Sequence, residues 1–140
     1  MKALIDTNVI LDVLLRRDPF YNDSRAVFDL VEQRKYTGCV SSSAMTDIFY
    51  FLYKAHRDIN KVYASMDDLA SIFTIAPVLE STINNALALR WKDFEDAVQY
   101  AAAERLAVDY IVTRNPADFS SSSIEVVTPD QFIRHITGLE

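Results

Sequence analysis

The sequence predicts an α/β fold: a three-layer α/β/α sandwich around a central, mostly parallel sheet of four or five strands. Short apolar runs alternate with longer helix-like segments from end to end, the pattern of strands joined by crossover helices. The runs are mostly apolar throughout, as expected of strands covered on both faces. A third regularity lies where they stop. Ala3, Leu4 and Ile5 precede Asp6; Cys39 and Val40 lead to Asp47; the helical segment 87–91 leads to Asp93 and Asp96; Tyr110, Ile111 and Val112 lead to Asn115 and Asp118.

Residues 3–6 form the first expected strand, and Asp6 stands where it could cap a helix over residues 7–15. The second strand is expected at 38–41, with Ser42 or Ser43 starting the next helix before Ala44. Ile48, Phe51, Leu52 and Ala55 share one face of that helix. Residues 73–76 make the third strand, and Ser81 near Thr82 marks the start of a following helix. Asp93 before Phe94 starts another, on which Ala97, Val98, Ala101 and Leu106 approximate one face. Strands at 110–113 and 125–127 complete the sheet, and the serine run 120–123 between them reads as a loop.

The 140 residues suit a single domain spanning 1–140, and their apolar half rules out disorder. No apolar stretch is long enough for a membrane span or a secretory leader, so a cytoplasmic protein is expected. Cys39, the single cysteine, sits in an apolar run and reads as a small core residue, which excludes an intrachain disulfide or cysteine zinc cluster. With only Gly38 and Gly138, no glycine loop can cradle a pyrophosphate. The net charge of −6 argues against broad capture of nucleic acid. A local site remains open to Arg16, Arg17, Lys54, His56, Arg57, Lys92 and Arg114, although most of these read as ordinary solvated surface.

In open parallel sheets, ligands sit beyond the carboxyl ends of the strands, where Asp6, Asp47, Asp93, Asp96 and Asp118 are expected to converge. Each has an ordinary reading as a helix cap, a first-turn residue or a turn former. Their recurrence at one sheet edge is harder to assign to capping. Carboxylates a few ångströms apart raise one another's pKa, and a hard divalent cation such as Mg2+ or Mn2+ relieves that repulsion through oxygen ligands. A receiver-type phosphoacceptor domain does not fit, because the third strand ends in Ala76 and Pro77 and no Lys follows Lys92. A haloacid-dehalogenase-type phosphatase does not fit either, since Asn8 stands where a second Asp is needed.

Four segments, 4–12 (LIDTNVILD), 41–48 (SSSAMTDI), 93–97 (DFEDA) and 111–119 (IVTRNPADF), resemble the PIN-domain family in order and across the chain. The compact size looks like the VapC-type toxins of bacterial toxin–antitoxin pairs. The resemblance implies a Mg2+- or Mn2+-dependent ribonuclease leaving 5′-phosphate and 3′-hydroxyl ends, with Asp6, Asp47 and Asp96 as catalytic metal ligands. The fourth ligand is either Asn115 or Asp118, Asp93 is a further candidate, and Thr7, Asn8, Thr113 and, if it is not a ligand, Asn115 are supporting hydrogen-bonders. Arg114, Arg16 and Arg17 are the candidates for substrate phosphates. Asp47 stands where the family more often has Glu, and Asn115 where many members have Asp. These departures leave an alternative, a PIN domain that binds RNA or a protein without cutting. The resemblance also implies an antitoxin partner. Phe49, Tyr50, Phe51 and Tyr53 occupy more than one face of their helix, which suits either a homodimer interface or a helix buried on two sides.

Overall fold

Strand β1 (Lys2–Ile5) lies at the centre of a wholly parallel five-stranded sheet in the computed structural model, which describes residues 1–138. Helices α1 (Thr7–Leu14) and α2 (Tyr21–Glu32) lead to β2 (Thr37–Ser41), and α3 (Ser42–His56) and α4 (Ile59–Ile72) lead to β3 (Thr74–Ala76). Then follow α5 (Glu80–Leu89), α6 (Phe94–Leu106), β4 (Tyr110–Val112), a 3-10 turn (Pro116–Phe119), β5 (Glu125–Val127) and α7 (Pro129–Thr137). The strand order is β3-β2-β1-β4-β5, with Leu4 opposite Cys39 on one side and Ile111 on the other.

Side chains alternate between sheet faces, and both faces are apolar. Ala3, Ile5, Val40, Val112 and Val127 join one core with residues of α1, α2, α3, α4 and α7. Leu4, Cys39 and Ile111 point the other way, into a core built from α6 and Phe119. The predicted three layers and all five strands are present. Phe73 belongs to the end of α4 rather than to β3, and Thr113 lies one residue beyond β4.

Helix boundaries moved for local reasons. Ser41, not Ser42 or Ser43, caps α3: its Oγ accepts the Ala44 N–H at 3.2 Å. Helix α5 begins at Glu80, ahead of Ser81, because Thr82 Oγ1 accepts the Leu79 N–H at 3.1 Å; it ends at Leu89, so Trp91 is outside it. Asp93 caps α6 as expected, accepting the Asp96 N–H at 3.0 Å. On α3 only Ile48 and Leu52 of the expected face are buried, while Phe51 and Ala55 are exposed.

Gly38 marks a close approach of β2 to Phe73 and Val31. A Cβ there would stand 2.8 Å from the Phe73 ring and 2.9 Å from Val31 Cγ2. Gly38→Ala should therefore destabilise the protein by about 1–3 kcal/mol through overpacking. A lowered urea midpoint at unchanged slope is the expected result, and an unchanged midpoint would mean that the helices yield freely.

Candidate functional site

The sheet's crevice opens between β1 and β4, because connections leave β1 toward β2 on one side while β4 closes the other. Asp6 sits at its mouth, one residue beyond β1, with its N–H donating to Val112 O at 2.9 Å. Its position is the N-cap of α1, yet its carboxylate caps nothing. Instead Thr113 Oγ1 donates to Asp6 Oδ2 at 2.8 Å and Gln99 Nε2 donates to Oδ1 at 2.9 Å. Asp6 is 8% exposed and Gln99 1%. Thr113 in turn accepts the Asn115 N–H at 3.2 Å, so the loop after β4 and the middle of α6 both hold the Asp6 carboxylate in one orientation.

The other acids crowd this point. Asp96, half-buried in the first turn of α6, is pushed up to about 7 by burial and then by the charges of Asp93, Asp6, Asp118 and Glu95. Glu95 keeps an exposed flank but also rises to about 7, through desolvation, a hydrogen bond shared with Asp47, and the charges of Asp47, Asp93 and Asp6. Asp6, Asp47 and Asp96 thus belong to one electrostatic neighbourhood, with Asp93 as the α6 cap and Asp118 exposed in the 3-10 turn. Among the described residues, no three His, Cys, Asp or Glu side chains stand close enough to form a ready-made metal cage. The donors are nevertheless all oxygen, which fits a hard divalent cation. Two unpaired buried oxygens, Gln99 Oε1 and Thr7 Oγ1, add to them. Asn8 is half-buried and Asn115 exposed.

Arg114 is occupied elsewhere. Its Nε lies 2.9 Å from Asp12 Oδ2 and its guanidinium 3.9 Å above the Phe20 ring, so it forms part of the fold rather than a free phosphate contact. The Nε–H is not aimed squarely at the carboxylate, which makes this a charge pair rather than a directed hydrogen bond. Asp12 is fully buried; burial raises its pKa, against the charges of Arg114 and Arg17 and a hydrogen bond from Ser24. Arg17 therefore also faces Asp12, and Arg16 lies exposed, 5.7 Å from the Tyr21 ring centre.

Sequence reasoning passed over Gln99, Glu95 and Asp12. Gln99 had a signal: a polar amide three residues after Asp96 inside the otherwise apolar run 97–103. Asp12 had the same kind of signal, a charge between Leu11 and Val13 on a buried helix.

A family model described as PIN domain matches residues 2–117. Among solved structures, a chain of a toxin–antitoxin complex from Klebsiella pneumoniae is similar with a TM-score of 0.68 and 23% identity, over 91% of this chain and 97% of that one. A chain of VapBC2 from Rickettsia felis, bound to a DNA fragment from its promoter, gives 0.67 and 17%, over 91% and 98%. VapC20 from Mycobacterium tuberculosis, a sarcin-ricin loop cleaving toxin, gives 0.62 and 14%, over 78% and 86%. At these identities the likeness is one of fold. No curated protein matches the sequence.

The crowding of the acids has a measurable sign. Asp96 and Glu95 hold protons in the folded state up to about 7 that they would release near their ordinary values of 3.8 and 4.5 once unfolded. The folded state thus binds more protons across that window, and this contribution to stability is lost as pH rises through it. In EDTA, the unfolding temperature should fall between pH 5 and pH 8, and Asp96→Asn should flatten the fall. Equal slopes in both proteins would show that Asp96 is not crowded.

Proposed function

The chain belongs to the PIN-domain family, and we propose that it is a Mg2+- or Mn2+-dependent endoribonuclease, the toxin of a toxin–antitoxin pair. The observation that carries this reading is the buried Asp6 carboxylate, gripped by Thr113 and Gln99 at the sheet's crevice with further acids crowded around it. Asp6, Asp47 and Asp96 would hold the ion, with Asp93 and Asp118 at the rim. A divalent ion held there would supply positive charge for the scissile phosphate and a more acidic water for in-line attack.

The chain's own residues do the rest. Thr113 and Gln99 leave Asp6 no freedom to rotate, which aims its remaining lone pairs outward. Asp96 would hold the ion in its deprotonated form. Glu95, in the same acidic neighbourhood as Asp47, Asp93 and Asp6, would be placed to take a proton from the attacking water. Attack with loss of the 3′ oxygen leaves 5′-phosphate and 3′-hydroxyl ends.

Two of the similar structures are toxin–antitoxin complexes, which supports an antitoxin partner here. The net charge of −6 suits a basic partner segment. A homodimer is supported by the aromatic side of α3, much of which is not buried within the monomer: Tyr50 is 60% exposed, Phe51 and Tyr53 are exposed too, and Tyr63 of α4, edge-on to the half-buried Phe49, is 57% exposed. Sedimentation at micromolar concentration should show a dimer, and a monomer there would remove this part of the proposal.

A second reading, a PIN domain that binds without cutting, draws on Asn115 and on the lack of a ready-made three-acid cage among the described residues. One assay separates the two. Purified protein should cleave RNA with Mn2+, lose cleavage in EDTA and in Asp6→Asn, and weaken about 10- to 100-fold in Gln99→Leu or Thr113→Val. Cleavage that persists in EDTA defeats the metal mechanism, and Mn2+ binding without cleavage of a total RNA pool favours the second reading.

A further inference from the structure

A groove of about 660 Å³ adjoins the acidic cluster, lined by Asp93, Asp96 and Asp118 of that cluster and by Arg90, Trp91 and Lys92. Its size falls in the range of ligand sites, about 300–1,000 Å³. Building on the nuclease reading, we propose that this groove is a nucleotide subsite for single-stranded RNA, in which Trp91 stacks on the base next to the scissile bond and Arg90 and Lys92 hold its phosphate.

Three observations carry the assignment. The first is that the two cations are uncommitted. Arg90 and Lys92 form no ion pair with the described residues, whereas Arg114 is held by Asp12 and Phe20. On a chain of net charge −6, two free cations lining one wall make a local point of attraction for phosphate.

Second, Trp91 is held in place without being consumed. Residues 90–92 form a short connector, fixed at one end by Arg90 in the left-handed conformation (φ 55°) closing α5 and at the other by the Asp93 cap of α6. The indole rests 5.0 Å from the Tyr100 ring and 6.0 Å from Phe119, centre to centre, and being only partly buried it also lines the groove. A rigid aromatic beside a phosphate contact is how single strands are gripped without regard to sequence, and a paired strand keeps its base faces covered.

Third, the lining carries both signs of charge, Arg90 and Lys92 together with Asp93, Asp96 and Asp118. A strand whose scissile phosphate lies at the acids would therefore have protein cations within the same groove for a neighbouring phosphate.

Trp91 is the only tryptophan in the chain, so its fluorescence reads the groove directly. The test is titration of the wild-type protein with a single-stranded RNA 12-mer, in Mg2+ and in EDTA, beside the same sequence as a duplex. Saturable quenching by the single strand and little by the duplex is expected. Arg90→Ala with Lys92→Ala should weaken binding and lower the salt slope by roughly 0.7, the value for one phosphate on a single strand. In cleavage assays, Trp91→Leu should raise KM about 5- to 150-fold at unchanged kcat, the loss of one base stack. RNA cut without any change in Trp91 fluorescence, an equal response to duplex, or an unchanged KM in both variants would overturn the subsite while leaving the nuclease reading intact. Saturable quenching in a protein that cuts no RNA would overturn the nuclease reading and support the subsite.

Discussion

The hydrogen bonds that Asp6 receives from Thr113 and Gln99 are the constraint on which the rest of the site depends. They join residues 93 and 107 positions apart in the chain, so they exist only when β1, β4 and α6 are all in place. The sheet register does much of this work. Asp6 N–H donates to Val112 O and Thr113 N–H to Val127 O, which sets the ends of β1, β4 and β5 level with one another. An Asp at a helix N-cap would ordinarily turn its carboxylate to the helix amides. Here it is turned to the crevice, and α1 starts without a side-chain cap. The fold gives up a common local stabilisation to orient one carboxylate.

The electrostatics make the same point in reverse. A few residues from Asp6, the fully buried Asp12 is matched by Arg114, with Ser24 and Arg17 in support. That is how a fold neutralises a buried charge it needs only for structure. Asp96 and Glu95 are left with acids for neighbours and no cation near enough to pair among the described residues. Acids so arranged cost stability at neutral pH, and such costs persist where a site requires them. One buried acid that is neutralised and a neighbouring group of acids that is not separate scaffold from site more clearly than either does alone.

Much of the architecture was legible because it rests on local pattern. Apolar runs gave five strands within a residue or two, and Asp93 was readable as a cap from its place before Phe94. What was not legible depends on partners distant in sequence. Whether Asp6 serves α1 or the crevice is decided by Gln99 and Thr113, which no window around Asp6 contains. Arg114 looked free for phosphate because Asp12 and Phe20, which hold it, lie about a hundred residues away. The face of α3 failed differently: periodicity grouped Phe51 and Ala55 with Ile48 and Leu52, but α1 and α4 cover a narrower stripe than the pattern allows.

The distribution of charge also bears on how an acidic protein could select a polyanion. Bulk attraction is unavailable at a net charge of −6, so recognition must come from a few placed groups, and their placement then becomes selective. Cations paired within the fold, such as Arg114, cannot contribute without exposing a buried carboxylate, which is costly. Cations on a short connector between two packed helices can, since nothing else claims them. On the proposed nuclease reading, the same reasoning ties affinity to the ion. Without added positive charge the crowded carboxylates of Asp93, Asp96 and Asp118 oppose any phosphate beside them, so binding of metal and of strand should reinforce one another.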